Sequence, residues 1–241
     1  MSVLTSLLAT CLVLANPTTE AGNGKLNVLV FSKTAAFRHD SIPEGQEMFR
    51  RMASAEGFNV SFTELSARFT DEALAQVDVL VFLLTTGDVL NDAQQGAMER
   101  FVRRGGGYLG IHAASDTEYD WPWYGKLVGA YFLSHPAIQK ATLHIEQPDH
   151  PTVSHLPKTW VRTDEWYDFR SNPRSSVNVL MRIDEATYNG GRMGADHPVT
   201  WCHEFEGGRA WYTALGHTKE SYSESEFVEM IRRALRWVAK R

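Results

Sequence analysis

Between residues 26 and 111, short apolar runs alternate with capped, amphipathic segments, and this alternation restricts the fold more than any other feature. Leu26-Asn27-Val28-Leu29-Val30-Phe31 reads as a buried strand. Ser41-Ile42-Pro43-Glu44 reads as a helix start, with Ser41 and Glu44 forming a capping box and Pro43 in the first turn. That helix is expected to run to about Ala55 and stop at Gly57. Phe58, Val60 and Phe62 alternate as a second strand, and residues 77–84 are nearly all apolar, as in a central parallel strand. Asn91 caps a helix through Arg104, three glycines end it, and Tyr108-Leu109-Gly110-Ile111 follows as the next strand. Strand, helix, strand, short helix, strand, helix, strand predicts an α/β fold: a doubly wound, mostly parallel sheet with flanking helices.

Beyond residue 112 the pattern loosens into loops rich in Trp, Tyr, His and Pro, with short strands near 141–146, 177–183, 198–205 and 209–215. Ser223-Glu224-Ser225-Glu226 reads as a second capping box, and Phe227, Ile231, Leu235 and Val238 stripe one face of a closing helix. With 241 residues and no linker or repeat, residues 25–241 read as one domain.

In an open parallel sheet, ligands bind beyond the carboxyl ends of the strands. The rule selects Ser32 to Asp40, Thr85 to Asp88, His112 to Asp116, and Gly216-His217-Thr218. His112 and His217 each follow an apolar strand at a turn containing glycine. A histidine there can serve as acid, base or metal ligand. Asp116 lies four residues past His112, close enough to orient it across one helical turn or to act as an N-cap. His39-Asp40 sits at the end of the first strand, where Asp40 and Ser41 are alternatively capping groups. Asp164-Glu165 is a carboxylate pair beside Trp166 and Tyr167. Neighbours in an extended segment face opposite ways, so one of the two points into a site, and Glu165 is favoured. His135 could line the same pocket. Trp121 and Trp123 could stack against a sugar, or hold down their own loop. His203 shares a strand face with Trp201 and Phe205 and reads as core, and His155 as surface.

Three stretches resemble motifs of the ThuA (trehalose-utilisation-like) family: Phe37-Arg38-His39-Asp40-Ser41, Gly106 to Asp116, and Gly207 to Thr218. With Asp164-Glu165-Trp166-Tyr167 and His197-Pro198-Val199 they span about residues 26–239 in the order that family uses. The resemblance implies a class I glutamine amidotransferase-like, flavodoxin-like fold. In those relatives a strand ends in Gly-Ile-Cys and a late strand pair ends near the histidine that activates the thiol. Here Gly110-Ile111-His112 resembles the first position and Gly216-His217 the second, so the nucleophile position is histidine. Cys202 reads as mid-strand, and no Gly-x-Ser-x-Gly elbow occurs. Thioester and serine-hydrolase chemistry are therefore not expected.

The resemblance also implies a carbohydrate context. The expected activity is a sugar-directed hydrolase, lyase or isomerase acting on a glycoside or keto-sugar derivative. His112 and His217 would act as acid and base, with Glu165 or Asp116 assisting, and His39, Asp40, His135, Asp164, Tyr167, Trp121 and Trp123 contacting substrate. A non-catalytic sugar-binding module and a divalent-metal hydrolase are the alternatives. Nine histidines with neighbouring carboxylates could ligate a divalent metal such as zinc, but no His-x₃-His pair exists, so distant loops would have to assemble the site.

A net charge of −5 argues against nucleic acid as a partner. A small-molecule carbohydrate is expected instead, and a homo-oligomer is left open. Residues 3–15 are too short an apolar stretch to span a bilayer. They have the length of a signal-peptide core, with Val13-Leu14-Ala15 as cleavage chemistry. Residues 1–24 are therefore expected to direct export to the periplasm or beyond, although no Lys or Arg precedes Lys25. Without such a signal the chain would be cytoplasmic.

Overall fold

The computed structural model describes residues 24–240. The export signal expected in residues 1–24 lies, but for Gly24, outside that range. Among the described residues no helix is long and apolar enough to cross a membrane.

The first half folds as the alternation predicts. β1 (Asn27–Phe31), β2 (Asn59–Thr63), β3 (Val79–Leu83) and β4 (Gly107–Ile111) are mutually parallel, in the order β2-β1-β3-β4. They are joined through α1 (Ile42–Glu56), α2 (Asp71–Leu74) and α3 (Asp92–Arg103). Every residue of β3 and β4 is buried, which explains why their sequences carry no alternation.

The second half contributes α4 (Pro122–Val128), β5 (Phe132–Ser134), β6 (Gln139–Ile145), β7 (Thr159–Asp164) and β8 (Asp168–Phe169). These are followed by β9 (Asn178–Asp184), β10 (Pro198–Phe205), β11 (Gly208–Thr213) and α5 (Ser225–Val238). Nine strands form one sheet in the order β2-β1-β3-β4-β11-β10-β9-β6-β7, and β5 pairs with β8 separately. β11 is parallel to β4, and each later neighbour is antiparallel to the one before it. Seven of the nine strands thus point one way, with only β10 and β6 reversed, as the expected mostly parallel sheet requires. The carboxyl ends of β1, β3, β4, β11 and β7 all open on the same edge.

The stripe on α5 is buried at Phe227, Ile231, Leu235 and Val238, and packs on β4 and β11. The helix starts differ from expectation. At α3, Asn91 and Gln94 form a reciprocal capping box. At α1, Ser41 makes no cap; its hydroxyl instead donates to the backbone carbonyl of His217 at 2.7 Å. At α5, Glu224 is the residue before the helix, and Ser223 donates to Glu220 at 3.0 Å without capping. The capping boxes read at Ser41 and Ser223 are therefore corrected. In both places the hydroxyl has a carbonyl within reach, and it donates there in preference to accepting from the helix amides.

Substitution separates the real cap from the apparent one. Asn91→Ala is expected to cost about 1 kcal/mol, the usual value of a cap. Ser223→Ala should stay within about 0.5 kcal/mol of wild type, as for an ordinary surface change. Urea denaturation of both variants measures the difference, and equal losses would contradict the assignment.

Candidate functional site

The residue after β4 is the first element of the site. His112 has a left-handed backbone, with φ of +52°, at the start of a short 3₁₀ turn over His112–Ser115. A β-carbon makes that conformation costly, so the surroundings must hold it in place. They do: the backbone carbonyl of His112 accepts a 2.8 Å hydrogen bond from the Tyr212 hydroxyl. Its ring is fully buried, lies at 4.1 Å centroid separation against Tyr167, and donates from Nδ1 to the Ala214 carbonyl at 2.6 Å. With the proton on Nδ1, the lone pair of Nε2 points inward.

The residue after β11 is the second element. Gly216 has φ of +109°, open to glycine alone without strain, and this turn aims the half-buried ring of His217 at His112. The two imidazoles meet at 3.2 Å between His217 Nδ1 and His112 Nε2. The third element comes from the far edge of the sheet. Asp164, at the end of β7, accepts from the backbone amides of Gly216 at 2.8 Å and His217 at 3.1 Å. It also pairs with buried Arg162 at 3.2 Å. The next residue then faces the opposite way. Glu165 Oε2 lies 3.1 Å from His217 Nδ1 and 3.3 Å from His112 Nε2, while its Oε1 lies 3.1 Å from His135 Nδ1.

Burial works to raise the Glu165 carboxyl, but hydrogen bonds to His112 and His217 outweigh it and hold the group well below the usual carboxylate range. Burial likewise works to lower His217, but the bond to Glu165 prevails and raises it. His39 has no such carboxylate contact. Burial, then the neighbouring imidazoles, push it down to about 3, so its ring stays neutral. That ring sits edge-on to His112 and His217 at 5.0 and 5.1 Å between centroids.

A cavity of about 280 Å³ opens above this cluster, lined by Phe37, Asp116, Phe132, His135, Glu165 and Tyr167, with His39 and His217 at its base. It is at the small end of ligand-pocket sizes, which run from about 300 Å³ upward. Asp116 is on the wall and does not orient His112, whose Nδ1 is already taken by Ala214. Its carboxyl is raised by burial, against a 2.6 Å hydrogen bond from the Tyr119 hydroxyl.

The structure thus gathers His39, His112, His217, Asp116, Glu165, His135 and Tyr167. Asp164 is beneath them as a brace. Three residues expected at the site are elsewhere. Asp40 is exposed and pairs with Lys219 at 3.0 Å. Trp121 and Trp123 stack on each other at 5.0 Å and donate to Glu99 and Glu206, away from the cavity. Their loop is held down by its own aromatics. The aromatic wall comes instead from Phe37, Phe132 and Tyr167. Nothing in the sequence distinguishes Phe37 and Phe132 from aromatic residues that serve the core, although Phe37 opens the Phe37-Arg38-His39-Asp40-Ser41 stretch. The segment after β3 stays out of the cavity and ties its loops together. Thr86 donates to the Phe37 carbonyl at 2.7 Å, and the Gly87 amide to Asp116 at 2.8 Å. Cys202 is buried within β10, and burial pushes its thiol up to about 12, which leaves it inert as a nucleophile.

The family model described as ThuA, trehalose utilisation, matches residues 27–238. Among solved structures, the chain is similar to a ThuA-like protein from Bacteroides uniformis, at 23% identity and a TM-score of 0.78. That likeness covers 93% of this chain and 95% of the other. It is also similar to a ThuA-like protein from Parabacteroides merdae, at 19% identity and a TM-score of 0.74, covering 90% of each. A β-galactosidase from Bacillus circulans matches at 13% identity and a TM-score of 0.59 over 88% of this chain and 31% of its own. These likenesses concern the fold. No curated protein matches the chain.

The brace can be tested directly. Asp164→Ala removes the acceptor of three backbone amides, those of Glu165, Gly216 and His217, and leaves Glu224 as the ion-pair partner of Arg162. It is expected to cost about 3–5 kcal/mol, the usual loss on breaking a buried pair. Chemical denaturation showing a loss below 1 kcal/mol would contradict the role given to this carboxylate.

Proposed function

This chain belongs to the ThuA, trehalose-utilisation, family, and from that premise we propose that it is an enzyme acting on a small carbohydrate, a glycoside or keto-sugar derivative. The observation that supports this best is the meeting of His112, Glu165 and His217 within 3.3 Å of one another beneath a cavity with two further titratable side chains on its walls. Clustered titratable groups in a cleft are what acid–base catalysis requires.

The roles differ from a simple pair of histidines. His112 is fully buried with its Nδ1 proton committed to a carbonyl, so it influences the substrate through its neighbours. Among the titratable groups that line the cavity, Asp116 and His135 are on its walls and outside the triad of His112, Glu165 and His217. Burial keeps Asp116 protonated to higher pH than an ordinary aspartic acid, which suits a general acid. His135, whose Nδ1 donates to the Pro136 carbonyl at 3.0 Å with Glu165 Oε1 at 3.1 Å, is the general base. Glu165, His112 and His217 form the polar floor beneath the substrate. An acid and a base on opposite duties serve hydrolysis of a glycoside, or removal of a proton beside a keto group. Phe37, Phe132 and Tyr167 offer flat faces for the apolar side of one sugar ring.

Turnover of trehalose, related disaccharides and their keto derivatives tests the proposal. Asp116→Asn and His135→Ala are each expected to lower kcat by about 10²–10⁴, the usual contribution of a positioned acid or base. Activity should fall as pH rises through the Asp116 pKa, because the protonated form is the acid, and that limb should vanish in Asp116→Asn. Unchanged rates in both variants, or no turnover of any sugar, would overturn it.

A further inference from the structure

The three atoms at the floor of the cavity present a problem that the acid–base reading leaves unanswered. His112 Nε2, His217 Nδ1 and Glu165 Oε2 form a nearly equilateral triangle with sides of 3.2, 3.1 and 3.3 Å. His112 donates from Nδ1 to Ala214, so its Nε2 is a bare lone pair. Glu165 is an acceptor at both oxygens. At most one proton, on His217 Nδ1, is then shared among three atoms that all face one point. Three potential ligand atoms with so few protons between them converge on one point.

From this geometry we propose that His112 Nε2, His217 Nδ1 and Glu165 Oε2, with the ring of His39 as fourth donor, bind one divalent transition-metal ion, with zinc the best match. Bonds of about 2.0–2.1 Å to nitrogen and carboxylate oxygen place neighbouring ligands about 3.4 Å apart in a tetrahedron. In an octahedron the same bonds place them about 3.0 Å apart. The observed sides of 3.1–3.3 Å lie between these two values. Imidazole and carboxylate donors without thiolate suit zinc and its first-row neighbours, and three nitrogens argue against calcium or magnesium.

Two further observations point the same way. His39 is 4% exposed, its Nδ1 has no hydrogen-bond partner, and its donor atom lies within 4.8 Å of the other three. The ring therefore waits beside the triangle with an unsatisfied nitrogen, at a cost that a ligand would remove. The supporting contacts are also those that orient metal ligands. His112 donates its other nitrogen to a backbone carbonyl. The His217 backbone is fixed by Asp164 and by the Ser41 hydroxyl. The second oxygen of Glu165 lies 3.1 Å from His135 Nδ1. Among the described residues, a second cluster of similar composition, Asp168, Glu185 and His197, lacks this character. His197 Nε2 is already bonded to the Tyr167 carbonyl at 2.8 Å, and its Nδ1 to Glu185 at 2.7 Å.

The inference rests on the same floor as the proposed reaction centre, and it leaves Asp116 and His135 free for proton transfer. The ion would supply a positive charge facing the substrate, able to polarise a carbonyl or glycosidic oxygen.

Co²⁺ titration of the full chain, stripped with a chelator, tests the site without reference to turnover. One equivalent should bind and give the visible absorption bands of a four- or five-coordinate nitrogen and oxygen site, with zinc displacing it. Glu165→Gln, which keeps the shape of the side chain, should weaken binding at least tenfold. His39→Ala should weaken it less and alter the spectrum, and His144→Ala, at a histidine outside the cluster, should leave it unchanged. Circular dichroism confirms that each variant is folded. Binding below a tenth of an equivalent in wild type, or equal affinity in wild type and Glu165→Gln, would overturn the proposal. Turnover assays keep the two readings apart. Metal binding with no sugar turnover defeats the carbohydrate reading alone. Sugar turnover in a protein that binds no Co²⁺ defeats the metal alone.

Discussion

The site depends on one carboxylate that never reaches the cavity. Asp164 accepts the amides of Gly216 and His217, so the last residue of an edge strand fixes the loop that follows a central one. The grip works because Asp164 ends a strand whose successive side chains face opposite ways. With Asp164 turned toward the loop, Glu165 is turned toward the cavity. One peptide unit thereby positions two of the three atoms on the cavity floor, Glu165 Oε2 directly and His217 Nδ1 through its backbone. Ser41 adds a second hold on His217, at the price of leaving α1 without a side-chain cap.

His112 supplies the third atom under different constraints. It stands where a tight turn after β4 presents a side chain at the sheet's ligand-binding edge. The left-handed backbone there is unfavourable for any residue but glycine and is held by Tyr212 and the surrounding packing. Strain of this kind persists where geometry matters to function. The ring is also locked: one nitrogen on Ala214, one face on Tyr167, the remaining nitrogen toward His217 and Glu165. A group so confined is suited to holding something still. Asp116 and His135, with one side open to the cavity, are suited to moving a proton.

Much of this was legible in the sequence where one physical rule dominated. Apolar runs marked β1, β3 and β4 because central parallel strands are buried on both faces. The carboxyl-end rule then pointed to His39, His112 and His217 without any structure. The opposite facing of Asp164 and Glu165 followed from strand geometry alone. Other features were hidden for equally physical reasons. β7 escaped notice because its inward residues are Trp160, Arg162 and Asp164, so its alternation is not one of apolarity. Ser41 and Ser223 have the spacing of capping boxes without forming them, because a hydroxyl can be claimed by a carbonyl that sequence spacing does not reveal. Trp121 and Trp123 looked like a sugar platform because aromatic residues satisfied by one another have the same composition as aromatic residues awaiting a ligand.

These features meet in one claim: segments 53 and 52 residues apart, and more, are folded so that two imidazoles and a carboxylate face a single point. Anomalous diffraction at the zinc absorption edge, on crystals grown from zinc-loaded protein, locates that point directly. One strong peak is expected within about 2.2 Å of His112 Nε2, His217 Nδ1 and Glu165 Oε2, allowing slightly more than a usual zinc bond. A peak seated instead at Asp168, Glu185 and His197, or no ordered zinc between the two imidazoles, would contradict it.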